Sequence, residues 1–79
     1  MEKQTKIKFE ALKARYNAQK LEAMAVLMTY ATNSVGIGEH PQIIEEMDTL
    51  IGKIACAEER MTLVESLLEE ISGNETLNG

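Results

Sequence analysis

The sequence predicts an all-α fold in which two long helices form an antiparallel hairpin. Residues 6–32 contain neither Pro nor Gly and are rich in strong helix formers. Residues 41–72 repeat apolar side chains at alternating spacings of three and four, the period of a helical seam. The segment between these two stretches is short enough to force an antiparallel reversal. A chain of 79 residues has room for a single small domain with a thin core, here residues 1–79.

We expect residues 1–5 to form an N-terminal arm and residues 6–33 to form helix one. Residues 34–40 then make the turn. Small and helix-starting residues mark the turn and its exit, namely Gly36, Gly38, His40 and Pro41.

Helix two is expected over residues 41–72. Pro41 suits its first position because the missing N–H is not needed there. Gly73 is expected to end it in a left-handed conformation, which leaves residues 73–79 as a disordered tail. One uninterrupted apolar heptad seam runs along this helix: Met47, Leu50, Ile54, Ala57, Met61, Val64, Leu68 and Ile71.

Helix one differs because it carries two apolar faces, whose centres lie roughly 150° apart around the helix. The first, here termed the alanine seam, consists of Ile7, Ala11, Ala14, Ala18, Leu21, Ala25 and Met28. The second, here termed the aromatic face, consists of Phe9, Leu12, Tyr16, Ala23, Val26 and Tyr30. One partner helix covers only one of these faces.

We therefore expect two hairpins to dimerise into a four-helix bundle, a common remedy for a thin core in a small chain. In the first assignment the alanine seam packs against helix two, and the aromatic face forms the interface between copies. In the opposite assignment the aromatic face lies inside and the alanine seam joins the copies. Both assignments predict a homodimer or a higher homo-oligomer.

The distribution of charge also favours the hairpin. Residues 1–32 hold six basic and three acidic residues, a net charge of +3, whereas residues 33–79 hold two basic and ten acidic residues, a net charge of −8. A turn centred near residues 36 and 37 places basic side chains of helix one beside acidic ones of helix two: Lys6, Lys8, Lys13 and Arg15 beside Glu58, Glu59, Glu65 and Glu69. Lys20 continues a lysine edge with a seven-residue repeat. Nucleic-acid binding is not expected, because the adjoining acidic residues outweigh this edge.

No catalytic, cofactor-binding or metal-binding residues are expected. His40 lacks the partner spacings of a metal site, and about 24 Å of helix separates it from Cys56, too far for a nucleophilic pair. The single cysteine favours a reducing compartment, and we expect a cytoplasmic protein. No stretch has the length or apolarity of a signal or membrane segment.

The most distinctive string is Val-Gly-Ile-Gly-Glu-His-Pro at residues 35–41, followed by Ile-Ile-Glu-Glu-Met-Asp at residues 43–48. This string resembles a group of small, functionally uncharacterised proteins of tailed bacteriophages, in which such a loop links two helices. The resemblance covers roughly residues 25–68. It implies phage origin and expression in the bacterial cytoplasm, and it implies no particular chemistry.

The leading hypothesis is a non-enzymatic, homo-oligomeric accessory or interaction protein of phage infection, with an unidentified phage or host protein as a further partner. A second hypothesis is a protein that sequesters a nucleotide signal of host defence between protomers. Basic and aromatic residues of helix one would supply the contacts: Lys6, Lys8, Lys13, Arg15 and Tyr16. A third is a small assembly chaperone or virion component.

Overall fold

The structure is a computed structural model that describes residues 3–32 and 42–78. It contains two helices, α1 (Lys3–Thr32) and α2 (Ile43–Asn78), which pack against each other along their lengths. No strand occurs in the described ranges. The described residues span 61 × 15 × 14 Å, the dimensions of two long helices lying side by side. The predicted all-α class and the pairing of two helices are confirmed.

Both helices begin at positions slightly different from those expected. α1 starts at Lys3, so residues 3–5, assigned to an N-terminal arm, belong to the helix. α2 starts at Ile43 with Glu45 and Glu46 in its first turn, where carboxylates favour the positive end of the helix dipole. The turn predicted for residues 34–40, with Gly36, Gly38 and His40, and also Pro41, lie outside the described residues.

The end of α2 also differs from the expectation. The helix passes through Gly73 and ends at Asn78, so residues 73–78 extend the helix where a disordered tail was expected. No described glycine has a positive φ, and a Cβ added at Gly73 would meet no atom within 4 Å. Glycine permits a left-handed helix stop but does not impose one, and here the right-handed helix continues.

The core lies in the seam of α2, as its heptad spacing predicts. Four described residues are buried, with relative exposures of 2 to 7%: Ala23, Ala57, Val64 and Ile71. The other seam residues of α2 are half-buried: Met47, Leu50, Ile54, Met61 and Leu68. A core of this size is thin, because each helix has only one neighbour.

On α1 the structure follows the opposite assignment. Ala23 is buried, and the larger side chains of the aromatic face are half-buried toward α2: Phe9, Leu12, Tyr16 and Tyr30. Val26 lies at the margin of this face and is 43% exposed. The alanine seam, first assigned to the hairpin interior, points away from α2, and Ile7, Leu21 and Met28 are each more than half exposed.

Two physical effects explain this choice of face. Aromatic and leucine side chains bury more apolar area than alanine, at roughly 25 cal/mol per Å², so turning them inward stabilises the hairpin more. The lysine edge also flanks the aromatic face. With that face inward, Lys13 pairs with Glu65 at 3.3 Å and Lys20 pairs with Glu58 at 3.8 Å.

These ion pairs confirm that basic side chains of α1 meet acidic side chains of α2 in an antiparallel arrangement. The register is shifted from the sequence estimate, because the residue numbers of both pairs sum to 78, whereas a turn centred near residues 36 and 37 gives a sum of about 73. Both pairs are largely exposed, with side-chain exposures of 24 to 58%. Each is therefore worth about 0.2–1 kcal/mol, so they select the register and add little stability.

The side of α2 that faces away from α1 is strongly acidic. Its exposed carboxylates are Glu45, Asp48, Glu59 and Glu70. Leu63, 60% exposed, and Cys56, also exposed, lie on the same side. α2 also exposes Ile44, 72%, and Ile51, 53%, so its outer surface mixes carboxylates with apolar side chains, whereas the alanine seam of α1 contains no charged residue.

Adjacent residues of α2 provide a test of the core. Val64→Ala should lower the free energy of unfolding by about 1.5 kcal/mol or more, because two buried methyl groups are lost. Leu63→Ala should change it by no more than about 0.5 kcal/mol, because that side chain is exposed. Urea unfolding followed by circular dichroism at one protein concentration measures both, and equal losses would contradict this packing.

Gly52 provides a second test. Its φ is not positive, and a Cβ placed on it meets nothing within 4 Å. Gly52→Ala should therefore raise the free energy of unfolding by about 0.4–1 kcal/mol through helix propensity alone. Thermal unfolding checks the sign, and a lower melting temperature would mean that something packs against this glycine.

Candidate functional site

The alanine seam is the most distinctive surface of the hairpin. Its large side chains are open to solvent, with relative exposures of 57% for Ile7, 55% for Leu21 and 54% for Met28. The four alanines between them are exposed as well: Ala11, Ala14, Ala18 and Ala25. The seam extends over about 32 Å of helix and contains no charged residue. A continuous apolar stripe of this length on a small chain is typical of a contact surface.

The C-terminal end of this stripe is less polar than its sequence suggests. The Thr29 hydroxyl donates to the Ala25 carbonyl at 3.1 Å, and the Thr32 hydroxyl donates to the Met28 carbonyl at 2.7 Å. Hydrogen bonds of this kind satisfy each threonine donor within its own helix. The two threonines therefore extend the seam without presenting a hydroxyl donor that needs an outside acceptor.

Charged and polar residues border the alanine seam on both sides. In the heptad of the seam, Arg15 and Glu22 lie on one border, one heptad apart, while Glu10 and Asn17 lie on the other. All four are exposed. An apolar stripe between charged borders is the pattern of a helix that packs against another helix.

Two open grooves follow the edges of the α1–α2 contact. The larger, of about 750 Å³, is lined by both ion pairs, Lys13 with Glu65 and Lys20 with Glu58. The smaller, of about 410 Å³, lies on the other edge and includes Gln19, Val26 and Leu50. In the larger groove Glu10, Glu58 and Glu65 outnumber Lys13 and Lys20, so its lining carries a net negative charge.

The basic and aromatic residues proposed for a nucleotide ligand do not converge within one hairpin. Tyr16 is half-buried toward α2, where the Arg60 guanidinium lies 5.8 Å from its ring centroid in a cation–π contact. Lys13 is paired with Glu65. Lys8 and Arg15 are exposed on a different side of α1.

Tyr30 and Glu46 join the two helices near the connection. A hydrogen bond between the phenol hydroxyl and the Glu46 carboxylate raises the pKa of Tyr30 above its ordinary value of 10.0, and desolvation and the negative charge of Glu46 act in the same direction. Both residues are half-buried. The contact was not anticipated from the sequence, although the i+7 spacing of Tyr16, Ala23 and Tyr30 placed Tyr30 on the aromatic face.

Within the described parts of the chain, no three His, Cys, Asp or Glu residues are grouped so that they could hold a metal ion. The same residues contain no helix that is long and apolar enough to cross a membrane.

Comparison of the chain with known protein families, with curated proteins and with solved structures finds no match.

The Tyr30–Glu46 contact predicts an alkaline titration. In a Tyr16→Phe background, leaving a single tyrosine, Glu46→Gln should lower the pKa of Tyr30 toward 10, because the charged acceptor is removed. The matched change Glu45→Gln, on an exposed neighbour, should leave it unchanged. Tyrosinate absorbance measures both.

The same contact fixes the sign of a stability change. The folded pKa of Tyr30 lies above the unfolded one, so its contribution is complete below pH 10 and is lost as pH rises through the folded value. An equal alkaline loss of stability in the Glu46→Gln protein would contradict the contact.

Proposed function

We propose that this chain is a non-enzymatic interaction protein that works as a homodimer, with the alanine seam of α1 as the contact between copies. The single observation that carries the proposal is the exposure of that seam on the side of α1 opposite α2. This is the second of the two interfaces considered from the sequence.

The thin core supports association. Only four of the residues described in full are buried, and three of them belong to α2. Chains of this length commonly gain stability by burying a further apolar surface in an oligomer. Covering Ile7, Leu21 and Met28 would remove three further large α1 side chains from water, in addition to the half-buried Phe9, Leu12, Tyr16 and Tyr30.

The surface that best matches an alanine seam is another alanine seam. α2 exposes Ile44, Ile51 and Leu63, but its outer side also presents Glu45, Asp48, Glu59 and Glu70, and packing these carboxylates on an apolar stripe would desolvate their charges. A symmetric contact between two copies of α1 buries apolar surface on both sides. Alanines at the contact allow the two helices to approach closely, which increases van der Waals contact.

The position of the seam sets the shape of the proposed dimer. Because the seam and α2 lie on opposite sides of α1, two joined hairpins form a flat row in the order α2, α1, α1, α2. Such a row would be flatter than the four-helix bundle expected from the sequence. Its two end helices expose their acidic sides.

We place this interaction role in phage infection of a bacterial host, in the host cytoplasm, on the basis of the loop resemblance at residues 35–41 alone. A phage or host protein is the further partner that such an accessory protein would engage. The contacts of Lys13 with Glu65 and of Tyr16 with Arg60 occupy two of the residues that the nucleotide-sequestering alternative needs, so we favour the interaction role.

One substitution and a matched control test the dimer. Ala18→Glu puts a carboxylate at the centre of the seam, where dimerisation would desolvate it close to its symmetry mate, and should weaken the dimer by more than about 100-fold. Ala55→Glu makes the same change at an exposed position of α2 and should leave association unchanged. Sedimentation equilibrium measures both, with circular dichroism confirming equal helix content.

Two results would contradict the proposal. The unmodified protein could be a monomer at concentrations up to hundreds of micromolar, or Ala18→Glu could associate as tightly as the unmodified protein.

A further inference from the structure

We infer that the two α1 helices of the dimer run antiparallel, so that each copy's Arg15 lies beside Glu22 of the other. This inference rests on the proposed homodimer and adds its orientation. It follows from the sizes of the side chains in the alanine seam and from the charges that border it.

Side-chain size favours the antiparallel arrangement. Each heptad of the seam has two core positions, and in antiparallel helices the first core position of one helix faces the second core position of the other. Ala11 therefore faces Met28 of the second copy, and Ala18 faces its Leu21. Between these layers Ala14 meets Ala25. Leu21 and Met28 therefore each pack over an alanine, Ile7 falls opposite Thr32 of the second copy, and no two large side chains of the seam meet across the contact.

A parallel arrangement would place identical residues opposite each other. Ile7, Leu21 and Met28 would each meet its own copy, and the alanines would meet alanines. Such a contact alternates wide and narrow layers, so the two helices would leave gaps at the alanines or crowd at the large side chains.

The border charges point the same way. In the antiparallel arrangement residues on the same border meet, so Arg15 and Glu22 form two symmetry-related ion pairs, and no like charges face each other. A parallel arrangement would form Glu10–Arg15 pairs between copies but would also bring Lys3 beside Lys8 of the other copy. Neither Arg15 nor Glu22 has an oppositely charged residue three or four positions away on its own helix.

A charge exchange separates the two orientations. Glu22→Arg should raise the dimer dissociation constant about tenfold, since two attractive pairs become repulsive. The double variant Arg15→Glu with Glu22→Arg should restore it to within about twofold. In a parallel dimer the single change would have no effect, and the double variant would be weaker because Glu10 would face the carboxylate introduced at position 15. Glu59→Arg, the same substitution on the outer side of α2, is the matched control and should have no effect.

A distance measurement tests the orientation directly. Spin labels are placed on Lys8→Cys in a Cys56→Ser background. The two labels should lie about 35 Å apart along the helix direction if the helices are antiparallel, and about 10 Å apart if they are parallel. Labels on Gln19→Cys lie near the two-fold axis and should be close in either case, which verifies that a dimer is measured.

The results of these experiments separate the antiparallel orientation from the homodimer on which it rests. A short Lys8 distance, or a double charge variant weaker than the single one, overturns the antiparallel orientation and leaves the homodimer in place. A long Lys8 distance with a short Gln19 distance supports it. A monomeric protein overturns both.

Discussion

A helix can be covered by one neighbouring helix on one side only, and this constraint organises the hairpin. α1 carries apolar side chains on two nearly opposite faces, while the chain supplies only one other described helix. Whichever face turns toward α2, the other remains in water. The half-buried aromatic face, the exposed alanine seam and the proposed partner of that seam are consequences of the same geometry.

The two faces differ in the contacts they suit. Large side chains such as Phe9 and Tyr16 gain most from a permanent neighbour, and α2 is always present at high effective concentration because it belongs to the same chain. Small side chains such as Ala14 and Ala18 offer little area each but allow close approach over a long stripe. The large side chains therefore suit the permanent contact with α2, and the alanines suit the proposed contact between copies.

The fold was predictable from the sequence, and the orientation of α1 was not. Apolar spacing alone identified Val64 and Leu68 as inward, because α2 has a single seam. On α1 the spacing identified two faces without ranking them. The lysines of α1 could have ranked the two faces. Lys13 and Lys20 flank the aromatic face, so they meet the carboxylates of α2 only when that face turns toward α2. The prediction that α2 ends at Gly73 was wrong, because glycine tolerates helical geometry as well as the left-handed conformation that stops a helix.

The acidic outer side of α2 has a consequence for how far assembly can proceed. In the proposed dimer the two-fold contact would use the alanine seam of α1, and each end of the row would present the outer side of α2, where Glu59 and Glu70 flank the exposed Leu63. Two such ends repel each other, so stacking of rows into filaments or sheets is disfavoured at low ionic strength. The negative charge of α2 would thus limit assembly to the dimer, in which the apolar alanine seam is already covered.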